Sequence, residues 1–486
     1  MFASCQTSQN SGGLDLRDRV RRVVLKNGMK FLLLKREGAP VFSTQMKFKV
    51  GNIEEEPGLY GLAHFFEHMA FKGTEKIGSK DFAKENVILE EIFKVGTELV
   101  EMKKKGVKPE VYEALLKKRL ALEKQQNEFI EKNEFTRIYQ RNGGLNLNAS
   151  TSNDYTTYYV SLPVNKLELW AYMESERLKK PVLREFFTER DVVAEERRMR
   201  IDNTAQGKIY EAFMKTAFDY SPYKTVVIGP ADNIQSYTPK KAQEFYEKYY
   251  IPSRLVVALV GNFELDDAEA TVKKYFGPIP AKKDTVKKIK PQDFSKGKFP
   301  REVTLKEPER SRFYLGYHRP AHPSPDDIVF DVIQSVLCDG RTSRLFKKFV
   351  LEKKIASSVA CYGAIPGARL DALFTFYGMP LDGHSNKELR KGVLDEIAKF
   401  AEEGPTDYEL EKVKNSIDAN FVYSLSSNSG LASQLAFYEC LDDDWQYIYR
   451  MQKRVHEITA KDIKRVVKKY FVKEREVTAY IEQKGS

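Results

Sequence analysis

Thr238-Pro239-Lys240 opens a helical pattern that runs to Tyr249, and Arg254 then leads into Leu255-Val256-Val257-Ala258-Leu259-Val260-Gly261. The chain says this twice. At a constant offset of 221 residues, Thr459-Ala460-Lys461 opens a second helical pattern to Tyr470, and Arg475 leads into an apolar run that ends at Ile481. Two amphipathic helices can resemble each other by chance, but a shared Thr, Lys, Tyr and Arg in one register indicate a duplication. The reading is an α+β protein made of two homologous α/β-sandwich domains.

Outward from that repeat, the N-terminal half reads as strands followed by helices. Arg21 to Leu34 alternates apolar and polar residues around Asn27-Gly28, a hairpin signal, and a further strand is predicted from Val41 to Val50. The pattern becomes helical at Gly61. From Asp81 to Lys132, Glu, Lys and Leu recur at three- and four-residue spacing, which predicts two long helices broken near Gly106-Val107-Lys108-Pro109. A strand is predicted at Leu145 to Leu162, a helix after Pro163, and another from about Thr188 through Asp202. Lys and Pro replace apolar periodicity between Pro278 and Pro300, and the next strand is predicted near Arg312 to Tyr317.

At 486 residues the chain exceeds what one ordinary hydrophobic core organises. The expected division is an N-terminal segment over 1–16, a first domain over 17–277 with a helical insertion at about 82–141, a linker over 278–300, and a second domain over 301–486. With 42% hydrophobic and 31% charged residues, no stretch approaches the roughly 20 uninterrupted apolar residues of a membrane helix. The net charge of +11 comes from Lys and Arg scattered through acidic helices, so a solvated surface is expected and no nucleic-acid partner.

Cys5, Cys338, Cys361 and Cys440 are widely spaced and form neither a CxxC pair nor a disulfide framework, and the last three read as buried small hydrophobes. Cys5 differs. Met1-Phe2-Ala3-Ser4-Cys5-Gln6 resembles the end of a bacterial lipoprotein signal, although the charged and apolar parts of such a signal are missing. Two readings stand: a lipid anchor at Cys5 on a chain of the bacterial cell envelope or periplasm, or an accidental likeness.

The chemistry concentrates in His64-Phe65-Phe66-Glu67-His68. On a helix, imidazoles four residues apart share a face one turn apart and can grip one metal ion. Two imidazoles and a carboxylate suit zinc, with a fourth position left for water whose pKa falls toward about 7, and Glu67 is beside it to take the proton. This is the H-x-x-E-H order. Two of the six histidines of the chain lie here, and Leu62, Phe65, Met69 and Phe71 would bury the helix. The third ligand is sought in Thr188 to Arg198, where Glu189 and Glu196 are seven apart and so share a helical face. Spacing alone does not separate Glu196 from Glu195.

Three ordered motifs carry a resemblance to the pitrilysin and insulinase type of zinc peptidase, in the branch that includes the mitochondrial processing peptidase β subunit and short bacterial relatives. They are Gly61 to Thr74, then Asn148-Ala149-Ser150-Thr151-Ser152 with Asp154, Thr156 and Tyr158, and then Glu189-Arg190-Asp191-Val192-Val193 with Glu195-Glu196. The resemblance implies one zinc per chain held by His64, His68 and Glu196, with Glu67 as catalytic base and Glu189 as a second acidic residue of the site. It implies that Asn148, Ala149 and Ser150 form an edge strand to which a peptide substrate adds, and that the chain makes half of a clamshell.

Two departures from the family pattern bear on function. The stretch between His68 and Glu196 is long, the excess falling between about Phe82 and Arg141. Gly340 to Phe346 matches a family segment normally followed by a substrate-reaching Arg and Tyr, yet Leu351 to Val359 contains neither. The expected partner is therefore a homologous subunit without metal, giving a heterodimer, with a homodimer as the competing arrangement. A zinc endopeptidase acting on peptides or unfolded segments is the expected activity, against a structural or assembly subunit of the same fold.

Overall fold

The computed structural model describes residues 16–484 apart from 107, 288, 291, 295 and 296, so Cys5 lies outside the described residues. Strands β1 (Val20–Val24) and β2 (Lys30–Lys35) form the hairpin predicted at Asn27-Gly28, and β3 (Val41–Phe48) follows. A short helix, α1 (Leu62–Met69), carries the two histidines, and α2 (Phe82–Lys105) and α3 (Pro109–Gln126) form the helical pair. Gly106 ends α2 in the left-handed region and Pro109 begins α3, which is the break that their residue types dictate.

Helix α4 (Glu134–Arg141) leads to β4 (Leu145–Thr151) and β5 (Thr156–Pro163). The single strand predicted from Leu145 to Leu162 is thus an antiparallel pair. Its turn is built by Ser152, whose hydroxyl donates to the Tyr155 carbonyl and accepts from the Asp154 and Tyr155 amides. Helices α5 (Leu167–Lys179) and α6 (Phe186–Arg197) follow, and α6 runs on into a π-helical turn at Arg198–Asp202. The half closes with α7 (Ala205–Ala217), α8 (Ala231–Gln235), α9 (Pro239–Tyr249), β6 (Leu255–Gly261) and α10 (Leu265–Phe276).

The second half opens with a strand not predicted from the sequence, β7 (Arg301–Glu307), and continues through β8 (Arg312–Arg319), α11 (Asp327–Leu337), β9 (Ala356–Ile365) and β10 (Ala372–Pro380). Helices α12 (Asn386–Glu403), α13 (Asp407–Ser424), α14 (Asn428–Asp442), α15 (Tyr447–Glu457) and α16 (Ala460–Tyr470) precede the last strand, β11 (Glu476–Gln483).

The duplication is visible strand by strand. The first sheet is ordered β1-β2-β6-β3-β5-β4 and the second β7-β11-β8-β10-β9. In each, the first strand of the shared order pairs in parallel with the final strand of the half, β2 with β6 and β7 with β11, and the other neighbours are antiparallel. The repeated helices α9 and α16 are both capped by a Thr side chain, Thr238 and Thr459.

Packing joins the halves more closely than the linear division implies. Helix α7 of the first half packs Ile209, Phe213 and Met214 against Leu373, Val477, Ala479 and Ile481 of the second sheet. Helix α14 of the second half packs Leu431, Ala432, Leu435 and Ala436 against Leu32, Leu34, Val256, Ala258 and Val260 of the first. Each sheet is completed by a helix from the other half.

Cys338 and Cys361 form a disulfide, which corrects the reading of both as isolated hydrophobes. They are 23 residues apart in sequence, but β9 returns past the end of α11 and brings their Cα atoms to 5.5 Å. Cys440 is free and buried, as read.

Candidate metal and peptidase site

The site rests on how α1 is started. Gly61 precedes it at φ 95°, in the left-handed region, and a Cβ there would come within 2.3 Å of the Ile228 carbonyl oxygen, so only glycine fits. The orphan amides of the first turn are taken by Glu55, whose two oxygens accept from Gly61 and Ala63 N–H at 2.7 Å each, with Asn52 donating at 2.8 Å. Burial pushes the Glu55 pKa up to about 8 while these donors pull it back. Sequence reasoning missed Glu55; its only signal is an acidic residue shortly before the start of a helix. The opposite face of α1 packs Phe65 on Phe186 and Tyr237, and Phe66 on Phe245 and Tyr246.

His64 and His68 project from α1 with ring centroids 5.0 Å apart. Helix α6 crosses beside them and presents Glu196, whose Oε2 lies 3.7 Å from His64 Nε2 and 3.4 Å from His68 Nε2. Ligand atoms of these three residues all fall within 4.8 Å of one another, and no other such group of His, Cys, Asp and Glu occurs among the described residues. Glu195, left open by spacing, turns to the rim and pairs with Arg198.

Glu189, two turns back on α6, contacts His68 from the other side, its Oε2 at 3.2 Å from Nδ1, while its Oε1 lies 2.5 Å from Lys72 Nζ. Burial works to raise the Glu189 pKa, but His68 and Lys72 overcome it and bring it to about 2. Glu189 therefore touches the imidazole and not the position between the three ligand atoms. Its geometry orients His68, which is the arrangement that fixes a histidine for a metal.

Burial and the neighbouring His68 lower the His64 pKa to about 4, leaving its ring neutral with a free lone pair. For His68, burial lowers the pKa but the carboxylates of Glu189 and Glu196 carry it up to about 9, so two anions here call for a cation. Glu196 Oε2 is buried, aimed at both Nε2 atoms, and receives no hydrogen bond. A divalent ion would satisfy that oxygen and both nitrogens together, so the donor set fits zinc. His64 Nδ1 is also buried, with no hydrogen-bond partner among the described residues.

Glu67 sits between the histidines in sequence and accepts a hydrogen bond of 2.5 Å from the Thr151 hydroxyl. Burial raises its pKa and the Thr151 bond opposes this. Thr151 ends β4, whose Asn148, Ala149 and Ser150 pair on one side with Tyr159, Tyr158 and Thr157 of β5; β4 is the outer strand of its sheet. Asn148 and Ser150 are exposed. These residues line, with His64, Glu67, His68 and Glu196, a cavity of about 890 Å³ whose other wall is apolar, with Val192, Met199 and Ile228. Every lining residue belongs to the first half; Leu351 to Val359, where the family's Arg and Tyr are absent, lies in a π-helical turn and the start of β9.

The helical pair α2–α3 braces this site. Phe187 of α6 packs against Gly96 so closely that a Cβ there would fall 2.0 Å from the ring, and Arg119 stacks over the same ring at 5.2 Å. Arg184, just before α6, is buried against Glu85 at 2.7 Å and donates to the carbonyls of Lys72, Thr74 and Ile77.

Comparison with known proteins accords with this geometry. The model of the insulinase family, peptidase family M16, matches residues 30–97 and 114–231, skipping the tip of the α2–α3 pair, and the model described as the peptidase M16 inactive domain matches 236–417. The zinc protease PqqE of Helicobacter pylori is 28% identical over 472 residues, covering 94% of this chain and 92% of the relative. The crystal structure of a protease from Helicobacter pylori superposes with a TM-score of 0.80 at 25% identity, covering 96% of this chain and 99% of that one. The periplasmic protease PqqL of Escherichia coli superposes with a TM-score of 0.69 at 18% identity, covering 96% of this chain but only 48% of that one. The chain belongs to the insulinase family of peptidases, family M16.

Proposed function

We propose that the chain is a zinc endopeptidase that hydrolyses peptides or unfolded segments. The observation that carries this is the buried, unsatisfied Glu196 Oε2 facing His64 Nε2 and His68 Nε2, with Glu67 alongside. His64, His68 and Glu196 hold the ion, and zinc, when bound, supplies a Lewis acid for the scissile carbonyl and for water. Glu67 accepts the proton of the attacking water and later passes it to the leaving amine. Its burial and its bond to Thr151 hold the carboxylate in one orientation. Glu189 keeps His68 in register through Nδ1. Asn148, Ala149 and Ser150 bind the substrate in extended form along the free edge of β4, so affinity derives largely from backbone pairing.

The cavity wall contributed by the first half alone supports a second subunit of the same fold, metal-free, as the missing wall. That the chain covers 48% of PqqL, a single chain about twice as long, supports the same pairing. The competing reading, a non-catalytic assembly subunit, finds support in the match to an inactive-domain model, but that match begins at residue 236, after all four site residues. The purified chain should cleave a mixed peptide pool and spare folded proteins, with activity rising when the homologous subunit is added. Equal activity alone and with that subunit would refute the heterodimer, leaving the homodimer.

The Cys338–Cys361 disulfide supports an oxidising compartment, hence the cell envelope or periplasm; a lipid anchor at Cys5 is supported by the sequence Ala3-Ser4-Cys5 alone. A non-reducing peptide map of the native protein tests this: linked Cys338 and Cys361 support it, and free thiols at both oppose it.

A further inference from the structure

Arg200 stands on the π-helical turn that prolongs α6, four residues after Glu196. Its Nη1 lies 2.8 Å from Glu196 Oε1, the oxygen that faces away from the histidines. Two oxygens of one carboxylate are thereby separated by task. Oε1 is held by a guanidinium, and Oε2, left without a hydrogen bond, is aimed at His64 Nε2 and His68 Nε2. The Arg200 side chain is 71% exposed and lines the same cavity. An exposed ion pair of this kind contributes little to folding, so its value lies in what it does to Glu196.

From this geometry we propose that Arg200 is a positioning residue that makes Glu196 a single-oxygen metal ligand. A carboxylate free to rotate can present both oxygens to a metal, and the second would fill the coordination position that water or a peptide carbonyl must enter. With Oε1 occupied by Arg200, only Oε2 is available and that position stays open. Nothing else among the described residues pairs with Glu196 Oε1 at salt-bridge distance, so no other side chain substitutes for Arg200.

The inference rests on the zinc site proposed above, and the experiment separates the two. Zinc affinity is measured by chelator competition on the full chain for the wild type, Arg200→Gln, Arg200→Lys and Glu196→Gln, with the apo-protein melting temperature as a check on folding. Outer partners of metal ligands alter affinity by about 10- to 100-fold, and Arg200→Gln should weaken zinc by that amount while Arg200→Lys, which keeps the charge, recovers most of it. The apo melting temperature should not move. If Glu196→Gln loses zinc while Arg200→Gln binds within about twofold of the wild type, the positioning role is overturned and the metal site stands. If the wild type binds no zinc, the site itself fails and the inference falls with it.

Discussion

At the scale of single residues, the proposed site is a set of carboxylates separated by what each one touches. Glu196 faces two imidazole nitrogens, Glu189 faces the back of one imidazole, Glu55 caps the helix that carries both, and Glu67 is held by a hydroxyl. Replacing Thr151 with Val would leave the half-buried Glu67 carboxylate without its donor. A hydrogen bond to a charged group contributes about 1.5–3 kcal/mol, so kcat should fall by about tenfold or more with zinc content unchanged. Steady-state kinetics on a fluorogenic peptide check this, and an unchanged kcat would remove Thr151 from the mechanism. His64, Glu67 and His68 were legible in the sequence because helical spacing alone brings them together. Glu196 over Glu195 was legible only through the family resemblance and not through spacing, because the choice depends on how α6 is rotated against α1. Glu55 gave only the weak signal of an acidic residue before a helix, and Arg200, although four residues after Glu196 as helix ion pairs are, has meaning only once Glu196 is placed against the histidines.

At the scale of elements, the Glu- and Lys-rich helical pair α2–α3 is solvated on its outer face. Its inner face is not, since Leu89, Ile92, Val95 and Leu99 are buried and Glu85 neutralises Arg184 beneath α6. Glu85→Gln would leave the buried Arg184 without its counter-charge. Breaking such a pair on one side costs about 3–5 kcal/mol, so the urea midpoint should drop sharply, and a midpoint within error of the wild type would show that the pair is dispensable. In the second half, Arg344 belongs to the stretch that matches the family, yet it serves structure: it donates to Glu409 at 2.6 Å through both Nε and Nη2, and to the Gly404 carbonyl, tying α12 to α13. Burial would raise the Glu409 pKa, but Arg344 and the Thr406 amide bring it down to about 2. A folded pKa below the unfolded value, near 4.3, means the pair stabilises fully above that pH and loses its effect as pH falls toward about 2. Arg344→Met should therefore lower the melting temperature at neutral pH, and the gap to the wild type should close in acid. A gap independent of pH would assign the loss to packing on Phe400 instead.

At the scale of the whole molecule, the duplication was legible because a helix and strand repeat locally, cap for cap. The exchange of α7 and α14 between the two sheets was not, because each helix is an ordinary amphipathic segment whose partner is chosen only when the halves meet. The disulfide was missed for a similar reason, since a separation of 23 residues hides two cysteines that adjacent elements bring together. The same closure ties the site to the second half. Asp154, just past β4, accepts hydrogen bonds from Tyr223 and from the amides of Ala368 and Arg369, and Arg369 pairs with Glu54 beside the cap of α1. The half that holds the proposed site is thus built against its duplicate, although the duplicate adds no residue to the cavity.

The central claim is that His64, His68 and Glu196 hold zinc while Glu67 performs the proton transfer, and one paired measurement separates those roles: zinc content and peptide cleavage, with and without the homologous subunit, for the wild type and Glu67→Gln. The account predicts about one zinc per chain in both proteins and a loss of cleavage of about 100- to 10,000-fold in the variant. Cleavage by Glu67→Gln at the wild-type rate, or a wild type that holds no zinc and cuts no peptide under either condition, would contradict it and leave the assembly subunit as the better description.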